Sequence, residues 1–230
     1  MNALKLLKQD HRTVEALFKQ FEKAGDKAFK EKREIARKIV KELSIHASIE
    51  EQLLYPAARA RDERLDDDVL EALEEHHVAK WTLNEIERMS PEDERFDAKV
   101  TVLIENIRHH VKEEEQELFP KLERLMGKAE LEAIGAALEQ AKLLAPTHPH
   151  PMSPDTPPGN VIAGALAKIL DMGRDAAIEV RRRAGKVATQ VVNRAKTPRA
   201  TARSASASVR RTLTTKRPVA AKRRVKYTVK

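Results

Sequence analysis

At 230 residues the chain has room for one or two domains. It contains no Cys, which excludes disulfides and thiolate metal ligands, so any metal site must use His nitrogen and carboxylate oxygen. Aromatics at 3%, charged residues at 35% and only 7 Gly favour long helices over sheet, and the net charge of +8 hides an uneven distribution. Residues 181–230 hold 17 Lys and Arg and no Asp or Glu, so all 36 acidic residues lie in an acidic body. The first ten residues are interrupted by charges and lack the apolar core of a signal peptide. The longest weakly polar run, 161–170, contains Lys168 and is too short to span a bilayer. A cytoplasmic protein is expected, with a nucleoid association if the tail takes a polyanion.

Taken in order, residues 3–24 read as a first helix, with Leu4, Leu7, His11, Val14, Phe18 and Phe21 on one stripe. Gly25-Asp26 breaks it. The second helix covers 27–55, where Ile35, Ile39, Leu43, His46 and Glu50 track one face and Tyr55-Pro56 marks a boundary or kink. The third spans about 66–89, through Val69, Leu73, His76, Leu83 and Ile86. The fourth covers about 94–119, through Phe96, Val100, Leu103, Ile107, His110, Glu114 and Leu118, and a shorter helix follows over about 128–144. Residues 146–160 are a Pro-rich extended linker, in which His148 and His150 are expected to face solvent. Residues 161–195 suit one more amphipathic helix. Residues 196–230 cannot bury enough apolar surface to offset ordering entropy, so a disordered basic tail is expected.

One stretch occurs twice. His46-Ala-Ser-Ile-Glu50-Glu51-Gln-Leu-Leu-Tyr55-Pro56 is echoed by His110-Val-Lys-Glu-Glu114-Glu115-Gln-Glu-Leu-Phe119-Pro120. Residues i and i+4 of a helix lie one above the other, so each copy presents an imidazole beside a carboxylate. The repeat extends further: His11 precedes His46 by 35 residues, and His76 precedes His110 by 34. His76 keeps the apolar neighbours of His11 at matching offsets, whereas His77 does not. Two helix hairpins thus each carry one His on the first helix and a His-x3-Glu pair on the second. The expected fold is all-α, an antiparallel four-helix bundle (1–145) with a pseudo-twofold repeat and appended C-terminal helices.

A single His on an apolar stripe is ordinarily a hydrogen-bonded core residue, and a lone His-x3-Glu is ordinarily a surface pair. Four His in matching registers, two with Glu at +4, point instead to metal. The candidate ligands are His11, His46, Glu50, His76, His110 and Glu114. Six are too many for one tetrahedral zinc and suit two ions, with Glu50 and Glu114 available to bridge. Imidazole and carboxylate suit iron or manganese. Glu51, Glu113, Glu115 and Glu117 read as solvated charges, with Glu115 the one to watch as a ligand. His77 and His109 read as outer or exposed, and Tyr55 and Phe119 as core caps, Tyr55 within possible hydrogen-bond reach of the site.

The segments around Asp10-His11, His46 to Glu51, Glu75 to Lys80, and His109 to Pro120 resemble those of the hemerythrin-like HHE cation-binding family. The resemblance covers about 1–145. It implies a four-helix bundle holding two iron ions, with manganese or zinc as alternatives, and O2 or peroxide as small-molecule ligand. The chain departs from the O2-carrying members: Lys80 stands where they have a further His, and Glu114 and Glu115 are the candidates for their fourth-helix Asp. That favours oxygen, peroxide or iron sensing, or oxidative-stress handling, over O2 carriage. Weak peroxide-decomposing or iron-oxidising activity would be compatible with such a centre. The alternative reading is a nucleic-acid-associated protein that works through 181–230, with the bundle as a structural head.

Overall fold

The computed structural model of the chain describes residues 1–157, Gly159, Asn160 and scattered positions between 171 and 189. Apart from those positions, the expected helix over 161–195 and the expected tail over 196–230 lie outside the described residues.

Helix α1 (Ala3–Lys23) starts where the Asn2 side chain accepts the Lys5 N–H at 3.2 Å, satisfying a donor the helix itself cannot. It pairs with α2 (Phe29–Ile49) across the Gly25 turn, giving the first hairpin. The chain then passes through a π-helical turn, Glu50–Leu54, into α3 (Tyr55–Arg61). The second hairpin joins α4 (Asp66–Arg88) to α5 (Phe96–Glu113). Asp66, Asp67 and Asp68 open α4, where negative charge suits the helix dipole. A second π-helical turn, Glu114–Leu118, leads into α6 (Phe119–Leu125), and α7 (Lys128–Leu144) follows. The all-α bundle and its two hairpins agree with the sequence reading. The second and fourth helices run past their expected ends, because Pro56 and Pro120 bend the ladder without stopping it.

Two apolar cores fill the bundle. One gathers Leu4, Leu7, Ile49, Leu54, Tyr55, Val69, Phe119 and Leu122 with Leu131 and Leu138 of α7. The other gathers Val14, Phe18, Phe21, Ile39, Leu83, Phe96, Val100 and Leu103. Each fully buried Leu, Ile or Phe contributes about 1.5–3 kcal/mol. Along α1 the first core takes residues 3–7 and the second 14–21, so His11 falls between them. The cores clamp the bundle on both sides of its polar waist.

Residues 145–157 contain no regular helix, as a Pro-rich segment should, but they do not form a free linker. Ala145 to Pro149 are buried, within the compact unit Met1–Ala177. His148 is 5% exposed, which corrects the expectation that it faces solvent. Its ring meets the carboxylates of Glu87 and Asp175, and the backbone N–H groups of Thr147 and His148 donate to Asp171 at 2.8 and 3.1 Å. His150 Nε2 lies 3.2 Å from the same Asp171 carboxylate. The segment is a strap held by acidic partners that its composition alone does not reveal. In the unit beginning at Ile178, Glu179 accepts from Arg182 and Arg183, each at 2.8 Å.

Candidate metal centre

All six expected residues converge at the waist, and all are buried: His11 6% exposed, His46 5%, Glu50 0%, His76 3%, His110 3% and Glu114 2%. His11 and His46 bring their Nε2 atoms to 3.2 Å, and His76 and His110 bring theirs to 3.1 Å. The two glutamates link these pairs. Glu50 Oε2 is 3.1 Å from His46 Nε2 on its own helix and 3.6 Å from His76 Nε2 of the other hairpin. Glu114 Oε2 is 3.6 Å from His110 Nε2 on its own helix and 3.3 Å from His11 Nε2 of the other hairpin. Potential ligand atoms gather into His11, His46, Glu50 and Glu114 on one side and Glu50, His76 and His110 on the other, sharing Glu50.

The π turns explain how the glutamates reach inward. Pro56 has no N–H, and its ring crowds the carbonyl four residues back, so the ladder widens. The Tyr55 N–H then bonds the Glu50 carbonyl, five residues back, and the Phe119 N–H bonds the Glu114 carbonyl in the same way. In an ordinary helix two adjacent residues diverge by about 100°. The widened turn instead keeps both Glu50 and Glu51 buried.

Behind the inner residues stands a ring of carboxylates facing the Nδ1 atoms. His11 Nδ1 lies 2.8 Å from Glu115, His76 Nδ1 3.1 Å from Glu51, and His110 Nδ1 2.7 Å from Glu75. Asp10 lies 3.8 Å from His46 Nδ1, too long for a hydrogen bond, while Lys142 holds its other oxygen at 2.6 Å. An imidazole that donates from Nδ1 presents the Nε2 lone pair to the centre, the form a metal needs. Glu51 is therefore a buried partner of His76 and Lys80, not the solvated charge its sequence context suggests. Glu115 is half-exposed and serves His11 from outside. His77 and His109 are exposed, as expected. The partners share the doubled register, Asp10 and Glu75 one residue before His11 and His76, Glu51 and Glu115 one after Glu50 and Glu114. That matched spacing is the signal that could have identified them.

Tyr55 and Phe119 occupy equivalent places and break the symmetry. The Tyr55 hydroxyl donates to Glu114 Oε1 at 3.0 Å and lies 3.4 Å from His76 Nε2. Phe119 stacks on the His11 ring with centroids 5.9 Å apart and offers Glu50 nothing. The electrostatics follow. Burial, then the neighbouring Glu114 charge, pushes the Glu50 carboxyl well above its ordinary value. Burial also opposes ionisation of Glu114, but the charges of His110 and His11 outweigh it and hold Glu114 well below the usual range. Burial pushes His46 down to about 4 and lowers His76, so both rings are neutral at pH 7. For His110 burial is again the largest influence, but the carboxylates of Glu114 and Glu75 override it and raise the ring.

The donor set fits a metal on the structure's own terms. Both Glu50 oxygens and Glu114 Oε2 are buried without any hydrogen-bond donor. Buried oxygens of that kind are costly unless a cation or proton meets them. Beside them lies a cavity of about 20 Å³, bounded by the four imidazoles, Lys80 and apolar side chains such as Val14, Leu43 and Ile107. That is enough for about one small molecule.

Residues 2–122 match the hemerythrin HHE cation binding domain. The chain belongs to the hemerythrin HHE cation-binding family. It is 29% identical over 171 residues to an uncharacterised hemerythrin-like protein of Schizosaccharomyces pombe, covering 73% of this chain and 82% of that one. It is also 29% identical over 142 residues to a protein of Nostoc sp. named DNA nickase, covering 62% of this chain but only 39% of that one. Among solved structures, a hemerythrin HHE cation binding domain-containing protein from Mycobacterium kansasii superposes with a TM-score of 0.52 at 25% identity. The match covers 62% of this chain and 88% of that chain. Metal binding follows from membership, and the His/Glu clusters of this hemerythrin-like chain are suited to it. No helix among the described residues is long and apolar enough to cross a membrane.

Proposed function

We infer that this hemerythrin-like protein holds two iron ions, with His11, His46, His76 and His110 as end ligands and Glu50 and Glu114 as bridges. The observation that carries the reading is that each glutamate reaches an imidazole of both hairpins, within 3.6 Å. A set of imidazole nitrogen and carboxylate oxygen donors favours iron or manganese, and six donors exceed what tetrahedral zinc uses. When bound, paired iron supplies a change of oxidation state shared between two ions and open positions for O2 or peroxide.

The residues of the chain do the rest. Glu115, Glu51 and Glu75 hold imidazole protons on the outer nitrogens. Tyr55 steadies Glu114. The apolar walls exclude bulk water, and Lys80 brings an ammonium to the edge of the small-molecule cavity, anchored 2.9 Å from Glu51. A cavity of that size and one flanking cation suit O2 or peroxide. The role this supports is sensing or handling of oxygen, peroxide or iron under oxidative stress, in the cytoplasm, with weak peroxide-decomposing or iron-oxidising turnover as the enzymatic form. Metal analysis of the purified chain is expected to give about two irons, and the spectrum is expected to change on adding peroxide. The His46→Ala/His110→Ala double variant is expected to lose the iron. Unchanged iron content in that variant would overturn the assignment, and zinc or manganese in the purified chain would replace iron with that metal.

A second reading concerns 181–230, whose 17 Lys and Arg with no acidic residue suit a polyanion such as DNA. The relative named DNA nickase gives it a specific point of departure. Binding of the full chain to duplex DNA is expected to weaken steeply with salt and to fall on removal of 196–230. Equal binding by the truncated chain would remove this reading.

A further inference from the structure

The two hairpins share one sequence register around their His and Glu residues, but the surfaces outside them differ. Around His110 and Glu114 the wall between α4 and the second π turn carries Asp68, Glu71, Glu75, Glu113 and Glu117, which line an open cavity. The positions equivalent by the repeat on the first hairpin are Ala3, Leu6, Asp10, Ile49 and Leu53. Ala3, Leu6 and Ile49 are buried at 0–5% exposure and pack in the core that includes α7. His109, exposed on the second hairpin, corresponds to Ile45, 9% exposed. Of these five positions the first hairpin keeps a carboxylate only at Asp10, whereas the second carries one at all five.

That acidic cavity reaches the centre. Its volume is about 50 Å³, and its inner wall includes His110 and Glu114. Glu114 is 2% exposed, and its Oε2 has no donor. Glu75 and Glu113 of its lining and the exposed His109 offer ligand atoms within 4.8 Å of one another, with His109 Nε2 3.0 Å from Glu113. The charge is offset in part by Lys121, 2.6 Å from Asp68. The other openings are poor routes for a cation. The cavity between the four imidazoles has apolar walls, where a dehydrating ion loses its water without replacement. The cleft leading to His11 sets Arg12, Lys19, Arg108 and Lys112 against only Glu15 and Glu115, so its lining is net positive. The cavity near Glu51 is overlaid by the 146–160 strap.

We propose that the acidic cavity of the second hairpin is the metal-loading entrance of the protein, with Glu75, His109 and Glu113 as a transient divalent-cation site that passes the ion to Glu114 and His110. Carboxylates at a cleft mouth raise the local cation concentration and the on-rate, and this effect weakens with salt. Glu75 then has two uses, since it also holds His110 Nδ1. The proposal rests on the metal-centre reading, and the test separates them.

The full chain is stripped with a chelator, and uptake of Co2+ is followed by stopped-flow absorbance at low salt. The Glu71→Gln/Glu113→Gln/Glu117→Gln variant leaves all six inner residues and Glu75 in place. It is expected to load about tenfold more slowly with the same final Co2+ content. An Asp26→Asn/Glu92→Gln/Glu94→Gln variant removes as many exposed charges elsewhere and is expected to load at the unaltered rate. Equal rates in the unaltered chain and the cavity variant, or equal slowing in both variants, would overturn the entrance. Failure of the unaltered chain to take up Co2+ at all would overturn the metal-centre reading, and the entrance with it.

Discussion

The Glu51 carboxylate touches His76 Nδ1 at 3.1 Å and the Lys80 ammonium at 2.9 Å, while Asn160 of the strap donates to its backbone carbonyl at 3.0 Å. One side chain therefore orients an inner imidazole, anchors the cation at the cavity edge and lies where the strap meets the bundle. Removing an outer partner of a metal-bound imidazole typically lowers affinity about 10–100-fold. Glu51→Ala is expected to do so, read by competition with a coloured chelator, and Glu51→Gln is expected to recover part of the loss because its amide oxygen can still accept from Nδ1. Equal affinity in Glu51→Ala and the unaltered chain would deny Glu51 this role. The six inner residues were legible in the sequence because His and Glu recur there in a doubled helical register. Glu51 left only the trace of its matched spacing, because an ordinary helix turns the residue after Glu50 away from the centre and the π turn brings it back. Tyr55 was half legible: its closeness to the site could be read, but its bond to Glu114 rather than Glu50 depends on how the hairpins cross.

Among the elements, α7 shows what an appended helix does for the bundle. Its Gly135 lies so close to the start of α1 that an added Cβ would sit 2.1 Å from the Met1 carbonyl oxygen and 2.7 Å from the Ala3 nitrogen. These are backbone atoms, which cannot swing aside. The contact lets Leu131 and Leu138 complete the core over Ala3, Leu6 and Ile49. Gly135→Ala is expected to destabilise the fold by about 1–3 kcal/mol, as overpacking does, despite alanine's better helix propensity. Urea denaturation would check it, and a gain in stability would show that α7 can move away at no cost. The span of α7 could be read closely from the sequence, 128–144 against Lys128–Leu144. Its docking could not, because the periodicity of a helix shows which face is apolar but not where that face goes. The strap was misread for a related reason. Its prolines correctly exclude helix, but the acidic partners that hold His148 and His150 lie far away in sequence.

Among the described residues the bundle sets two hairpins of one register against each other, and they differ at Tyr55 against Phe119, in the α7-covered wall against the acidic one, and in the strap on one flank. The inequality bears on stability as well as on access. Glu114 has a hydroxyl donor, whereas Glu50 is fully buried with both oxygens unpartnered, beside a second carboxylate. Without metal, Glu50 is thus a destabilising group kept for binding, the trade that functional sites commonly show. Burial favours the protonated form of a group that is ionised in the unfolded chain at pH 7, a cost that a neutral group of the same shape does not carry. In the presence of chelator at pH 7, Glu50→Gln is expected to stabilise the fold by about 1 kcal/mol, raising the melting temperature by about 2–4 °C. Glu114→Gln is expected to lower it, because that carboxylate is matched by Tyr55 and by the imidazoles around it. With metal added the order reverses for Glu50. The unaltered chain gains stability by mass action, and the Glu50→Gln variant, short of a bridging oxygen, gains less. Thermal melts of the three proteins with and without metal would check this, and a Glu50→Gln variant less stable than the unaltered chain in chelator would show that Glu50 supports the metal-free fold.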